Sequence, residues 1–410
     1  MKITSVWARE VLDSRGNPTV EVDVVAETAF GSAAAPSGAS TGKYEAVEMR
    51  DGGERYMGKG VQRAVENVNA IIAPALLDME VTGQDAIDRR MRELDGTKDK
   101  SSLGANATTA VSMAVLRAAA ASQGKMLHDY LGGNTLPRPM FNIINGGKHA
   151  GNSLAIQEFM IIPDAESFSE RLRMASEIYH VLGKQLSQKY GPAARNVGDE
   201  GGYAPNIDNT YKALDALVDA VEELGYSDRC GFALDAAASS FYDEKTHVYK
   251  IDNKELKETE LLDYYADLVK AYKIISVEDP FHEESFRAFS ALHKELPQLQ
   301  VVGDDLVVTN PQRLKEAIAA GAISALLLKI NQIGTVSEAM EAVKLCRQNK
   351  LNVVVSHRSG ETEDCFIADF SVGINAGQIK TGAPARGERT AKYNQLLRIE
   401  EKLGLEEAPA

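Results

Sequence analysis

At 410 residues the chain is too long for one ordinary core and long enough for a barrel of about 250 residues with a smaller domain beside it. Its formal net charge of −14 argues against a nucleic-acid partner, because phosphate contacts need Lys and Arg in clustered excess. Three scattered cysteines without metal-ligand spacing, no apolar core behind the first residues and no run near the roughly 18 apolar residues of a membrane span point to a protein of the reducing cytoplasm, with no membrane span.

In chain order, residues 3–11, 19–25 and 30–35 read as strands of an antiparallel meander, the second with clear alternation, and Gly16, Asn17 and Pro18 turn the chain between the first two. Residues 36–42, PSGASTG, are small enough to leave backbone groups free and let a loop move. They are not a Walker loop: three residues rather than four separate Gly38 from Gly42, and Tyr44 follows Lys43 where Ser or Thr should stand. Helical patterning follows at 61–77, 84–94 and, Ala-rich, 106–122. Gly and Pro punctuate 131–139, which divides the chain into an α+β domain over 1–132 and a second domain over 133–410.

The second domain opens with strands at 140–144 and 156–162, whose connection is too short for a crossover helix, so the second of them should run antiparallel to the first. Helices at 167–189 and 209–224 flank the loop NVGDEGGYAP at 196–205. Six short apolar runs then each end on one charged or polar residue: Asp235, Glu278, Asp304, Lys329, His357 and Lys380. The last five of these follow one another by 26, 25, 28 and 23 residues, the length of one strand and one helix. The expected architecture is an irregular TIM-type barrel, ββαα(βα)6, preceded by the smaller α+β domain. Asn310-Pro311 and Gly321 should start and end one of its helices, Ser337 should cap the next, and the charged tail from 400 to 410 should fray.

A barrel interior is packed, so a polar residue at the carboxyl end of a strand sits where such barrels place their chemistry. Three carboxylates at neighbouring strand ends repel one another unless a cation lies among them, and hard oxygen donors suit Mg²⁺ or Mn²⁺. A divalent metal is expected at Asp235, Glu278 and Asp304.

AREVLDSRGNP at 8–18, SGASTG at 37–42, GDEGG at 198–202, LLKINQIG at 327–334, SHRSGET at 356–362 and IKTGAP at 379–384 carry a resemblance that covers nearly the whole chain. In order and spacing they are similar to the motifs of the enolases, the phosphopyruvate hydratases of glycolysis and gluconeogenesis. The resemblance implies dehydration of 2-phosphoglycerate to phosphoenolpyruvate, with a Lys base working beside one or two Mg²⁺ ions, as is general in that superfamily.

It also implies roles. Asp235, Glu278 and Asp304 would hold one Mg²⁺, and Ser40 would join a second to the substrate phosphate when the loop at 37–42 closes. Asp305 is the neighbour that could be mistaken for a ligand; the 25-residue interval to Lys329 fits the family when counted from Asp304. Lys329 would be the general base, its pKa brought down from ~10.4 by the two ions and by Lys380, a shift of about three units or about 4 kcal/mol. Glu200 would be the general acid, with Glu158 beside it raising its pKa by like-charge repulsion. Lys380 would hold the substrate carboxylate, Arg358 and Ser359 the phosphate, His149 and Gln157 would line the site, and His357 would sit beside Lys380.

The sequence departs from the commoner enolase pattern at Ser240, where many relatives carry Glu, in slightly shorter segments at 51–56 and 131–139, and after Leu405. A racemase or cycloisomerase of the same superfamily would share the metal carboxylates but not the 37–42 loop or the run from Ser356 to Ser359. A silent relative would have lost Lys329, Glu200 or a metal ligand. Members of the family form dimers or octameric rings of dimers, which implies a homo-oligomer with an apolar patch on the smaller domain.

Overall fold

The computed structural model describes residues 1–38 and 42–407, so Ser40 lies outside the described residues. The meander consists of β1 (Ile3–Leu12), β2 (Pro18–Ala26) and β3 (Ala29–Ala34), paired antiparallel in the order β1-β2-β3. The turn after β1 is held by Asp13, whose Oδ1 accepts from the amides of Arg15 and Asn17, both at 2.9 Å. The helix Ala105–Ser122 lies against this sheet at backbone distance. A Cβ on Gly31 would stand 2.3 Å from the Ala114 carbonyl oxygen, so only glycine permits the approach.

The helix expected over 61–77 is broken into Gln62–Asn67, a π turn Val68–Ile72, and Ala73–Leu76. Pro74 gives the physical reason: it has no amide to donate and its ring crowds the carbonyl four residues back, and a wider turn absorbs both faults. A short helix, Leu127–Leu131, which carried no expectation, leads up to the boundary segment and ends on Gly132 at φ +85°.

The barrel closes on eight strands: β4 (Arg138–Asn145), β5 (Glu158–Pro163), β6 (Cys230–Asp235), β10 (Ile274–Glu278), β11 (Gln300–Gly303), β12 (Ala325–Leu328), β13 (Asn352–Ser356) and β14 (Gln378–Lys380). β5 pairs antiparallel with both β4 and β6, and every other pairing is parallel. Met140, Met160, Ile162, Ala233, Val302, Ala325, Leu327 and Val354 form their own buried cluster and plug the middle of the barrel, with Ser276, Gln300, Asn352 and Gln378 hydrogen-bonded to one another toward the amino ends of their strands and the charged side chains at the mouth. Between β6 and β10 the chain adds a small antiparallel sheet of β7 (Tyr242–Asp243), β8 (Val248–Ile251) and β9 (Lys254–Leu256), which the sequence reading passed over.

Two helix ends differ from expectation. Asn310 caps Pro311–Ala320 through the amides of Gln312 and Arg313, and Gly321 closes that helix at φ +60°, as expected. Thr335, not Ser337, caps Val336–Gln348: its Oγ1 accepts from Glu338 N, while Ser337 N donates to Asp88 Oδ2 at 2.9 Å, a carboxylate of the smaller domain. The tail does not fray over 400–407 but completes the helix Gly387–Glu407. Glu400 accepts from the amides of Phe168 and Ser169 at the start of Phe168–Tyr190, at 2.5 and 3.0 Å, and an acidic group there meets the positive end of a helix dipole.

Candidate active site

The mouth collects its side chains by strand direction. Asp235, Glu278 and Lys380 are the last residues of β6, β10 and β14, while Asp304, Lys329 and His357 each stand one residue beyond β11, β12 and β13. β5 runs the other way, so its first residue, Glu158, arrives at the mouth and pairs with Asp235 across the ladder. Six of the seven are buried, and the Lys329 side chain is 12% exposed. From sequence, Glu158 had its place only through the family resemblance; the reversal of β5 is what brings the first residue of that strand to the mouth.

Lys380 is the electrostatic centre. Its ammonium donates to Glu278 Oε1 and Oε2 at 2.9 and 2.8 Å, to Asp235 Oδ2 at 3.0 Å and to Glu158 Oε1 at 3.3 Å. Lys329 donates to Asp304 Oδ2 at 2.5 Å, and Gln332 Nε2 to Asp304 Oδ1 at 2.8 Å. Burying an unpaired ion costs several kcal/mol, whereas an opposite charge at 4 Å returns about 4 kcal/mol at the effective dielectric of a protein, so these lysines are held charged by their partners. Burial pulls Lys380 down, but Asp235, Glu158 and Glu278 together hold it well above the usual lysine range. The same balance sets Lys329, where burial is outweighed by Asp304 and the net shift is upward. Arg358 and Lys380 act in the expected, lowering direction, and Asp304 outweighs them.

Burial and then the charge of Asp235 push Glu278 well above the carboxylate range, the mark of acidic groups crowded together. These buried hard-oxygen donors on adjacent strands β6, β10 and β11 fit a divalent cation in chemistry. In detail the structure groups other donors more tightly. Among the described residues, ligand atoms within 4.8 Å of one another belong to His149, Glu158 and Glu200, and to Asp279, Asp304 and Asp305; Asp235, Glu278 and Asp304 are not such a group, because Lys380 lies between the first two and Lys329 engages the third. Asp279 spends its two oxygens on the amides of Asp304 and Asp305 and so orders that turn. Of the two neighbouring aspartates, Asp304 is the one that Lys329 contacts.

At the opposite rim, Arg358 is buried against Glu45, with Nη1 to Oε2 at 2.9 Å and Nη2 to Oε1 at 3.2 Å, and against Asn331 Oδ1 at 3.2 Å. Glu45 also accepts from Gly42 N at 2.9 Å. Ser359 is buried beside Arg358, and His357 N donates to Lys380 O at 2.9 Å, which sets His357 next to that lysine.

On the remaining side, His149 Nδ1 stands 3.5 Å from Glu200 Oε1 and 3.7 Å from Glu158 Oε1, and Gln157 Nε2 donates to Asp235 Oδ2 at 3.3 Å. Asn142 Nδ2 donates to Glu200 Oε2 at 2.9 Å, and His357 Nε2 lies 3.3 Å from the same oxygen. Burial and then the charge of Glu200 push Glu158 well up, whereas Glu200 goes well down: burial opposes its ionisation, but His149, His357 and Arg389 outweigh it. These directions run opposite to the expected raising of Glu200, because the positive and donor groups are gathered around Glu200.

A buried mouth with two lysines, a guanidinium, two carboxylates of opposed pKa and a further set of acidic donors suits proton removal beside a carboxylate and anion binding at one rim. The family profile described as "Enolase, N-terminal domain" matches residues 3–131, and that described as "Enolase, C-terminal TIM barrel domain" matches residues 133–409. The chain belongs to the enolase family. It is 59% identical over 410 residues to the enolase of Methanopyrus kandleri, covering 98% of this chain and 96% of the relative. It is 58% identical over 409 residues to the enolases of Thermococcus gammatolerans and Methanocaldococcus jannaschii, covering 98% of this chain and 95% and 96% of theirs. As an enolase it is a hydro-lyase, a phosphopyruvate hydratase.

Four residues of this enolase's site escaped the sequence reading: Glu45, Asn142, Gln332 and Arg389. Gln332 lies inside the recognised run 327–334 and Glu45 three residues beyond the run 37–42, so a buried partner for Arg358 could have been sought beside that loop. Asn142 sits within an apolar strand, where a lone polar residue was itself the signal. Arg389 lies on the first turn of a helix remote in sequence and carried none.

Proposed function

We propose that Lys329 removes the C2 proton of 2-phosphoglycerate and that the Glu158–Glu200 pair delivers a proton to the departing hydroxyl, giving phosphoenolpyruvate and water in the glycolytic direction and the reverse in gluconeogenesis. The observation that supports this reading is the Lys329 ammonium on Asp304 and the two carboxylates of Glu158 and Glu200 gathered with His149 and His357 around one barrel mouth. Asp235, Glu278 and Asp304 would hold one Mg²⁺, and Ser40 with the substrate phosphate a second. When bound, Mg²⁺ supplies the positive charge that stabilises the dianion formed as the proton leaves.

Lys329 can accept a proton only as its free amine. Arg358 and Lys380 favour that form, and Asp304 opposes it until its carboxylate is engaged as a ligand. Lys380 orients the substrate carboxylate, and Arg358 with Ser359 binds the phosphate, for which a planar guanidinium offers two parallel donors. His149 and Gln157 line the approach. Glu158, held protonated, is the proton reservoir, and Glu200 is the ionised group that passes the proton on; His357 is the donor that keeps Glu200 ionised.

The same reading places the protein in the cytoplasm and divides it at residues 132 and 133. It makes the protein a homodimer or an octameric ring of dimers. Trp7, Leu12 and Phe30, all exposed on the meander, support an apolar contact there. No helix among the described residues is long and apolar enough to cross a membrane.

The test is ultraviolet absorbance of the enol phosphate with 2-phosphoglycerate and Mg²⁺. Product should form with metal, vanish on chelation and fall by about 10²–10⁴-fold or more in Lys329→Ala. A wild type that binds Mg²⁺ yet makes no product would sink the reading.

A further inference from the structure

Arg389 touches none of the groups assigned above to substrate or metal through its own charge, yet it is wholly buried among them. Nη1 lies 2.7 Å from His357 Nδ1 and donates to Arg358 O at 2.7 Å, while Nη2 donates to Asp199 O at 2.9 Å and Ser359 O at 2.6 Å. A guanidinium has donors only, so His357 Nδ1 must accept, which leaves the ring's proton on Nε2. Nε2 is the atom 3.3 Å from Glu200 Oε2, the oxygen that also receives Asn142.

We propose that Arg389 is a positioning residue for the dehydration: it locks His357 as the Nε2–H tautomer, so that the ring offers Glu200 a donor and not a base. By gripping the carbonyls of Asp199, Arg358 and Ser359 it also sets the spacing between the acid loop and the phosphate-binding run. The inference rests on the roles given above to Glu200 and Arg358. Its consequence is directional. Asn142 donates to Glu200 Oε2 and the Nε2–H of His357 stands 3.3 Å from the same oxygen, so that side of the carboxylate pair faces donors only, and the protonation pattern of the acid is biased from the helix Gly387–Glu407. Burial, reinforced by Arg389 and Lys380 against the charge of Glu200, brings His357 down to about 4, which agrees with a neutral ring at physiological pH.

The experiment is ¹⁵N-detected NMR of histidine-labelled full-length protein at neutral pH, with His357→Gln to identify the resonances, joined to steady-state kinetics of Arg389→Met and Arg389→Lys. In the wild type, His357 Nδ1 should report an unprotonated acceptor and Nε2 a protonated nitrogen. Arg389→Met should lose that signature and lower kcat by about 10²-fold, the scale of a misplaced catalytic group, with KM changed much less. Arg389→Lys, which retains a charged donor for Nδ1, should restore the tautomer and part of kcat. A wild-type ring protonated on Nδ1 or on both nitrogens overturns the proposal, as does an Arg389→Met protein with wild-type kcat and tautomer. Should Arg389→Met fail to fold, the wild-type spectrum and the Lys variant decide. The tautomer is read on the resting protein without substrate, so a wild type inert toward 2-phosphoglycerate would sink the dehydratase reading while the nitrogen shifts still decided this one.

Discussion

Glu158 and Glu200 have the same side chain in the same cavity and opposite behaviour, and the difference lies in which groups surround each. Asn142, His149, His357 and Arg389 gather on the Glu200 side. Glu158 keeps one buried oxygen without a hydrogen-bond partner among the described groups. Splitting of this kind lets one pair hold a proton and pass it. Removing the acid should therefore stop dehydration without stopping proton removal. Glu200→Gln is expected to lose about 10²–10⁴-fold in product formation while exchange of the C2 proton with deuterated solvent continues, and Lys329→Ala should lose both. Loss of exchange in Glu200→Gln would show that Lys329 is not the independent base. The positions of Asp235, Glu278, Asp304, Lys329, His357 and Lys380 were legible because each terminates an apolar run. The direction of the Glu200 shift was not, since Arg389 reaches it from a helix nearly two hundred residues on.

At the scale of elements, the joint between the smaller domain and the barrel is a borrowed cap. Thr335 caps the helix Val336–Gln348 locally, but its next free amides turn to the other domain: Val336 N donates to Ser112 Oγ and Ser337 N to Asp88 Oδ2, both at 2.9 Å. Asp88 Oδ1 in turn accepts from Ser112 Oγ at 2.7 Å and Gln84 Nε2 at 3.1 Å. Replacing Asp88 by Ala orphans donors from three elements. A loss of about 1–3 kcal/mol is expected, read as a lower urea midpoint, with turnover per folded molecule unchanged. An unchanged midpoint would mean that water serves those amides as well. The choice of Ser337 as cap failed for this reason: a capping residue is recognised locally, whereas here a carboxylate some 250 residues earlier takes the amide. Asn310 was read correctly because its cap is closed within its own turn.

For the whole molecule, the barrel was visible as a rhythm of strand and helix, and the reversed strand followed from a connection too short to cross over. The sheet β7–β9 was not visible. Its strands are two to four residues long and partly exposed, too short for any alternation to register. The outer face of the meander makes a prediction at this scale. If Trp7 is buried between two copies, light scattering should give a dimer for the wild type, and Trp7→Glu should weaken it by about thirtyfold or more, the loss of a central aromatic anchor. A monomeric wild type would rule that contact out.

The helix Gly387–Glu407 carries a further consequence, concerning time. Its first turns deliver Arg389 to His357, Lys392 to Glu361 at 2.8 Å and Tyr393 to the Gly382 carbonyl at 2.6 Å, while its far end bears Glu400 and, through Lys402, a pair with Asp129 at 2.8 Å. Domains fold largely as they emerge from the ribosome, N-terminal first. All eight staves of this barrel precede that helix, so a chain shortened to end at Ala385 and released would carry every strand-end residue of the mouth and still lack the clamp that sets them. Such a shortened chain should resist protease over the smaller domain and yet turn over no substrate.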